Sequence, residues 1–421
     1  MRNLFLILTL VLGISVTAQE PAIKTERDTT ATKKEKKKNP FNTGFYPIGF
    51  FDVDLRYLIK YNNYEGIRLG IGGITNDRFS EHFKIGGYIA HGFKDSAFKY
   101  SIGGSIRVDE ESKTWVNLYY IDDIREIGTF QYLTDARVYS VFEPRLVNVT
   151  QFFKHRTWQT NIQSEFNPKV LSELRLSHSS VEQIENYQFI NEGETFEQYE
   201  LSEITASIRV SPKKEFVTTK DGLIEYFDGT PKISAQITQG IKDIAESDFN
   251  YTKFGLKLDY YIKRTDLSST SFLLEGDYAL GDLPLTHLFH AFPNSPTKNT
   301  ILQRFSVAGR KSFETMYFGE FFSDKLATLQ IKHSLRRFYF SDHFKPEMVL
   351  ITRHAIGSLD NPERHTGITF NTLDQFYSES GFEINKLLFG FGLSFAYRYG
   401  FYNLPEFEDN VSFKFTFYAK F

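Results

Sequence analysis

The sequence predicts an all-β protein, a closed antiparallel transmembrane β-barrel, and three observations predict it. Apolar and polar residues alternate for about nine to eleven positions at a stretch, the length that crosses a bilayer on a tilted strand. The polar side of these stretches carries full charges, which suits a hydrated lumen. An export signal opens the chain. Composition agrees: mean hydropathy is −0.34 across 421 residues, yet 43 are Phe and 24 are Tyr. A barrel has that profile because half of every strand faces lipid and half faces water.

Residues 1–18 form the signal peptide. Arg2 supplies its positive charge, Leu4 to Ile14 its apolar stretch, and Val16-Thr17-Ala18 a small-x-small cleavage pattern. The stretch is too short for a membrane-spanning helix, which needs about 20 apolar residues. Residues 19–40 show no apolar period and contain the run Lys33-Lys34-Glu35-Lys36-Lys37-Lys38. This segment is expected to be a disordered basic tether. Residues 41–421 are expected to form the barrel.

The last strand shows the period most plainly. Val411, Phe413, Phe415, Phe417, Ala419 and Phe421 fall on one face; Ser412, Lys414, Thr416, Tyr418 and Lys420 fall on the other. Successive strand side chains point to opposite sides, and no helix could segregate these residues. Ending on Phe, this strand is the expected insertion signal for the outer-membrane assembly machinery. Upstream, Phe391, Leu393, Phe395, Tyr397 and Tyr399 oppose Gly392, Ser394, Ala396 and Arg398. Phe98, Tyr100, Ile102, Ile106 and Val108 oppose Lys99, Ser101, Gly103, Ser105 and Arg107. Ile204, Ala206 and Ile208 oppose Thr205, Ser207 and Arg209, and Phe254, Leu256 and Leu258 oppose Lys253, Lys257 and Asp259.

Roughly 14 to 18 such strands fit. Aromatic pairs at strand ends, Tyr119-Tyr120 and Tyr260-Tyr261 among them, mark interfacial girdles. An open edge in hydrocarbon would leave backbone groups unpaired, so the sheet is expected to close. Long polar stretches at 179–201, 212–231 and 281–303 are expected on the external side, where barrels of this kind carry their long loops.

Several chemistries are excluded or unsupported. The chain has no Cys, which removes disulfides, thiolate metal sites and thiol nucleophiles. A formal charge of −3 gives no reason to expect nucleic-acid binding. No hydrolase, metalloprotease, phosphate-loop or dinucleotide motif occurs, so neither enzymatic activity nor a cofactor or metal site is expected. His287 and His290, three apart and near Ser295, are the remaining hydrolase candidates.

An ordered series of motifs carries a family resemblance. Gly281-Asp282-Leu283-Pro284, Ser312-Phe313-Glu314-Thr315-Met316 and Glu320-Phe321-Phe322-Ser323-Asp324-Lys325 come first. They lead to Gly381-Phe382-Glu383-Ile384 and Tyr397-Arg398-Tyr399-Gly400-Phe401-Tyr402-Asn403-Leu404-Pro405. Earlier pieces are Glu65-Gly66-Ile67-Arg68-Leu69-Gly70 and His91-Gly92-Phe93-Lys94-Asp95. This series resembles the barrel part of a functionally uncharacterised family of outer-membrane proteins. Its members often carry a carboxypeptidase-regulatory-like domain ahead of the barrel, and they look distantly related to the surface-antigen superfamily of assembly and secretion barrels. The resemblance implies 16 strands. Two departures stand out: only the short tether separates signal from barrel, and the superfamily's Arg-Gly-aromatic loop tip is absent from 281–303.

The expected function is that of an integral outer-membrane barrel with a transport, assembly or scaffold role, its lumen constricted by the 281–303 loop. Outer-membrane lipid surrounds it, and other envelope proteins are candidate partners. A passive small-solute channel is the alternative reading. Arg68, Lys99, Arg107, Arg209, Lys257, Asp259 and Arg398 are the candidate lumen residues, because charges inside a barrel tune passage or lock an inward-folded loop.

Overall fold

The structure is a computed structural model. It describes residues 44–135, 145, 149, 151–184, 186–219, 222–227, 229–295, 307–341, 344–388 and 390–417. The signal peptide (1–18), the tether (19–40), Phe421 and residues 296–303 of the long loop lie outside the described residues.

Strands dominate. The first nine are β1 (Phe45–Ile48), β2 (Phe51–Asp54), β3 (Ile59–Asn62), β4 (Gly66–Thr75), β5 (Phe83–Gly92), β6 (Phe98–Asp109), β7 (Thr114–Glu126), β8 (Phe152–Asn167) and β9 (Val170–Gln183). Then come β10 (Gln188–Asn191), β11 (Glu194–Phe196), β12 (Gln198–Val210), β13 (Glu215–Thr219), β14 (Gly222–Phe227), β15 (Lys232–Gly240), β16 (Tyr251–Lys263) and β17 (Ser269–Gly281). The last are β18 (Pro293–Ser295), β19 (Phe313–Tyr317), β20 (Lys325–Ser334), β21 (Glu347–Ser358), β22 (His365–Thr366), β23 (Tyr377–Leu388), β24 (Phe391–Gly400) and β25 (Val411–Phe417).

Eighteen of these strands make one sheet, and its long members pair antiparallel with their chain neighbours. Both β2 and β3 pair with β4, through Phe51↔Thr75 and Ile59↔Leu69. They are two halves of one strand, broken by the 3-10 turn Leu55–Tyr57. Counting them as one leaves seventeen strands in the sheet, the four-residue β1 among them, where the resemblance implies sixteen. Among the described residues no ladder joins β25 to β1, β2 or β3.

The sheet is inside out relative to a water-soluble protein. Arg68 is 8% exposed between Ile67 and Leu69 at 50% and 42%. Lys99 is 4% exposed between Phe98 and Tyr100 at 63% and 39%. Along β25, Ser412, Lys414 and Thr416 are buried while Phe413 and Phe415 are exposed. A contiguous apolar surface of this extent on an isolated chain marks contact with lipid or a partner. A sandwich would bury that face between two sheets. Here the apolar core lies elsewhere, where connecting loops pack at one end of the sheet: Tyr187, Phe189, Tyr199, Phe249, Leu285, Phe289, Phe313 and Phe322 are all buried there.

Strand direction places the connections after β7, β9, β15, β17, β21 and β24 at that same end. The 179–201 and 281–303 stretches belong to it. The 212–231 stretch does not. It connects β12 to β15, holds the β13–β14 hairpin, and lies at the opposite end with the short turns. At the looped end β10 pairs with both β11 and β22, which ties the connection after β9 to the one after β21.

Candidate functional site

The longest connection, between β17 and β20, folds back among the inward charges. It leaves β17 at Gly281, whose φ of +99° suits only glycine and whose Cβ would lie 2.4 Å from Asn250 O. A 3-10 turn follows at Leu285–His287. Phe289 then bridges Ser323, so both ends of the connection meet. The His290 N–H donates to Gly128 O at 2.9 Å. Beyond it, β18 pairs in parallel with β19.

Four wall charges grip this plug, and a fifth braces one of them. Glu379 of β23 accepts the backbone N–H groups of Glu314 and Thr315, both at 2.9 Å, and the Thr315 hydroxyl at 2.6 Å. Arg353 of β21 donates to the same carboxylate at 2.7 Å. Lys414 of β25 meets Glu314 at 2.9 Å, and Asn294 and Ser312 also donate to that carboxylate. Arg398 of β24 holds Glu320 at 2.7 Å, and Glu126 at the end of β7 accepts from His290 Nε2 at 3.0 Å and from Arg145. Arg353, Glu379, Glu314 and Lys414 are all nearly inaccessible. Burial opposes ionisation of Glu314, yet Lys414 and Arg353 beside it hold its carboxyl below the ordinary carboxylate range. Buried charges persist only when paired and hydrogen-bonded; here Lys414–Glu314 and Arg398–Glu320 join plug to wall, while Arg353–Glu379 ties β21 to β23.

The seven candidate lumen residues all fall on the inward face, in three situations. Arg398 grips the plug. Arg68 and Lys99 pair within the wall: Arg68 is bidentate to Asp123 at 2.7 and 2.9 Å, and Lys99 meets Glu65 at 2.9 Å and also Asp95. Lys257 reaches Asp135 in the connection after β7 and lies 4.4 Å from the Tyr132 ring. Arg107, Arg209 and Asp259 are half-buried and form no ion pair among the described residues. In the C-terminal strand Val411, Phe413 and Phe415 take the expected face; the side chain of Phe417 and all of Phe421 lie outside what is described.

Neither loop histidine is placed for hydrolysis. His290 spends Nε2 on Glu126 and accepts the Phe292 N–H on Nδ1. His287 has Thr286 Oγ1 at 2.8 Å and packs on Phe153. Burial, with Lys253 nearby, pushes the His287 imidazole down to about 3, so it is neutral at physiological pH. Glu314, Glu320, Arg353, Glu379 and Glu126 are the residues that sequence reasoning missed as a site. A signal existed for two of them, since Glu314 and Glu320 lie inside the family motifs.

No curated protein sequence matches this chain. Among solved structures it is similar to the crystal structure of BamA from Haemophilus ducreyi lacking POTRA domains 1–3. The TM-score is 0.51 at 10% identity, over 85% of this chain and 68% of that one, which is a likeness of fold. Residues 32–278 match the C-terminal domain of a family of unknown function, DUF5686. That match covers more than half of the chain, and the chain belongs to the DUF5686 family.

Proposed function

We infer that the sheet closes in the outer membrane as a plugged barrel, and that it serves transport, assembly or scaffolding of envelope components rather than passive diffusion. One observation carries this reading. Glu379, buried in the wall, receives two plug amides and the Arg353 guanidinium at once. A constriction held this way fills the lumen with a fixed element, where an open channel keeps its charges solvated. The exposed apolar outer face and the fold likeness to a BamA barrel support the membrane placement. The alternating strand β25 supports engagement by the outer-membrane assembly machinery.

Conductance in planar bilayers tests it. The reconstituted wild-type protein shows little steady current, and deletion of residues 284–300 produces a persistent open level. Equal steady conductance in both proteins would replace this reading with the passive-channel one.

A further inference from the structure

One panel of the outer wall carries more than apolar residues. Ladders across β7, β8, β9 and β12 stack three rows of outward side chains. Asp122, Arg156, Ser180 and Glu200 form a polar row. Tyr120, Trp158, His178 and Ser202 form the next, and Leu118, Thr160, Leu176 and Ile204 the third. The middle row thus lies where charge gives way to hydrocarbon. Tyr and Trp occupy that depth in a bilayer, the headgroup boundary where lipid ester carbonyls also lie.

In that row His178 Nδ1 stands 3.0 Å from Ser202 Oγ, and His178 Nε2 stands 3.4 Å from Glu200 Oε2. Glu200 Oε2 is buried and accepts no hydrogen bond. A proton on Nε2 answers that carboxylate and leaves the Nδ1 lone pair facing the serine hydroxyl. Base beside hydroxyl, with carboxylate behind base, is the arrangement that activates a serine nucleophile. The 3.4 Å separation is of the loose kind such pairs show before substrate binds. A groove of about 360 Å³ opens beside them, lined by Leu118, Trp158, Leu176, Ile204 and Ile244.

The connection 241–250 lies over the pair. Ile244 O accepts the Ser202 hydroxyl at 2.7 Å, in competition with His178. Asp243, Ala245 and Glu246 hold φ of 66°, 49° and 64°, left-handed values unfavourable for residues with a Cβ. Strain of this kind persists only where the surroundings impose it and collects at functional sites.

We propose that Ser202, His178 and Glu200 form an acyl-ester hydrolase site for membrane lipids on the outer wall, covered by the 241–250 loop. Ser202 Oγ adds to the ester carbonyl of a chain seated in the groove as its proton passes to His178 Nδ1. The acyl C–O bond breaks, and the departing alcohol takes that proton. Water then attacks the acyl-serine, giving one proton to His178 and from there to Ser202 Oγ, and a fatty acid leaves. Water is the one co-reactant. The proposal departs from the expectation that the chain is not an enzyme, and it rests on the outer face lying in lipid.

The full chain is reconstituted into vesicles of phosphatidylethanolamine and phosphatidylglycerol, with a second set containing lipid A, and fatty-acid release is followed by mass spectrometry. Release is expected from wild type, falling at least 100-fold in Ser202→Ala and His178→Ala and about tenfold in Glu200→Gln. Release from the first vesicles alone assigns glycerophospholipid esters, and release only from the second assigns lipid A esters. A fluorophosphonate probe labels Ser202 in wild type and not in His178→Ala, although each variant keeps the heat-modifiable migration of a folded barrel. Wild type that floats with the vesicles but releases nothing from either overturns this proposal alone. Unchanged release in Ser202→Ala overturns it too, and protein that does not float overturns the membrane placement beneath it.

Discussion

The two flanks of the polar face use the same residue types for different ends. On the β4–β7 flank, Arg68, Lys99, Glu65, Asp95 and Asp123 satisfy one another within the wall and its turns. On the β20–β25 flank, Glu379, Arg398 and Lys414 reach across to the plug, and Arg353 backs Glu379 from the adjoining strand. A buried charge on an inward face therefore says nothing by itself about gating. What matters is whether its partner is a neighbouring strand or a separate segment.

The largest effect is expected at the contact between plug and wall. Glu379→Ala leaves two plug amides and Arg353 without their acceptor, and loss of one partner of a buried pair costs ~3–5 kcal/mol. Urea titration in detergent should show that loss, and bilayer recording should show new open events. Arg68→Ala should cost up to about 3 kcal/mol by the same logic, because it leaves Asp123 without its cation although Tyr88 and the Ile124 N–H still donate to it, but it should leave conductance unchanged. If the two variants open the barrel equally, the distinction between the flanks falls.

Acid sharpens the comparison in a third region, the looped end. Burial holds His287 and His365 at about 3, against about 6.5 in an unfolded chain. Both groups have depressed values, so between those limits the unfolded segment binds more protons. Stability is full above pH 6.5 and declines as pH falls, by about 2 kcal/mol per histidine at pH 5. Protease cleavage within 184–197 and 359–376 should accelerate at pH 5 relative to pH 7.5, and unchanged cleavage would remove the histidines as the cause. Smallest is Arg209→Ala, half-buried and without an ion pair, expected within about 0.5 kcal/mol of wild type and silent in conductance.

Strand parity was legible in the sequence because a period of two sorts side chains without reference to the rest of the fold. Arg68, Lys99, Lys257 and Arg398 point inward for that reason alone. Their partners were not legible. Glu314 meets Lys414 and Glu379 across separations of 100 and 65 residues, set by how the connection folds rather than by any local pattern. The end assigned to 212–231 failed for a related reason. A loop's side depends on how many strands precede it, and length, on which 212–231 was placed, does not report that. The break between β2 and β3 was also invisible, since Leu55-Arg56-Tyr57 carries neither Gly nor Pro. Its turn is set by the Asp54 carboxylate, which accepts the Arg56 N–H at 3.1 Å.

The pairing of β10 with β22 has a consequence for biogenesis. Gln188 meets Thr366 across nearly half the chain, and Lys414 completes its contact with Glu314 from the final strand. Contacts so distant in sequence form slowly, because a long loop must close before they repay its ordering. The contacts between the connection and the wall are thus expected to form late in folding, and a copy truncated ahead of residue 365 lacks both the β10–β22 pairing and the Lys414–Glu314 pair.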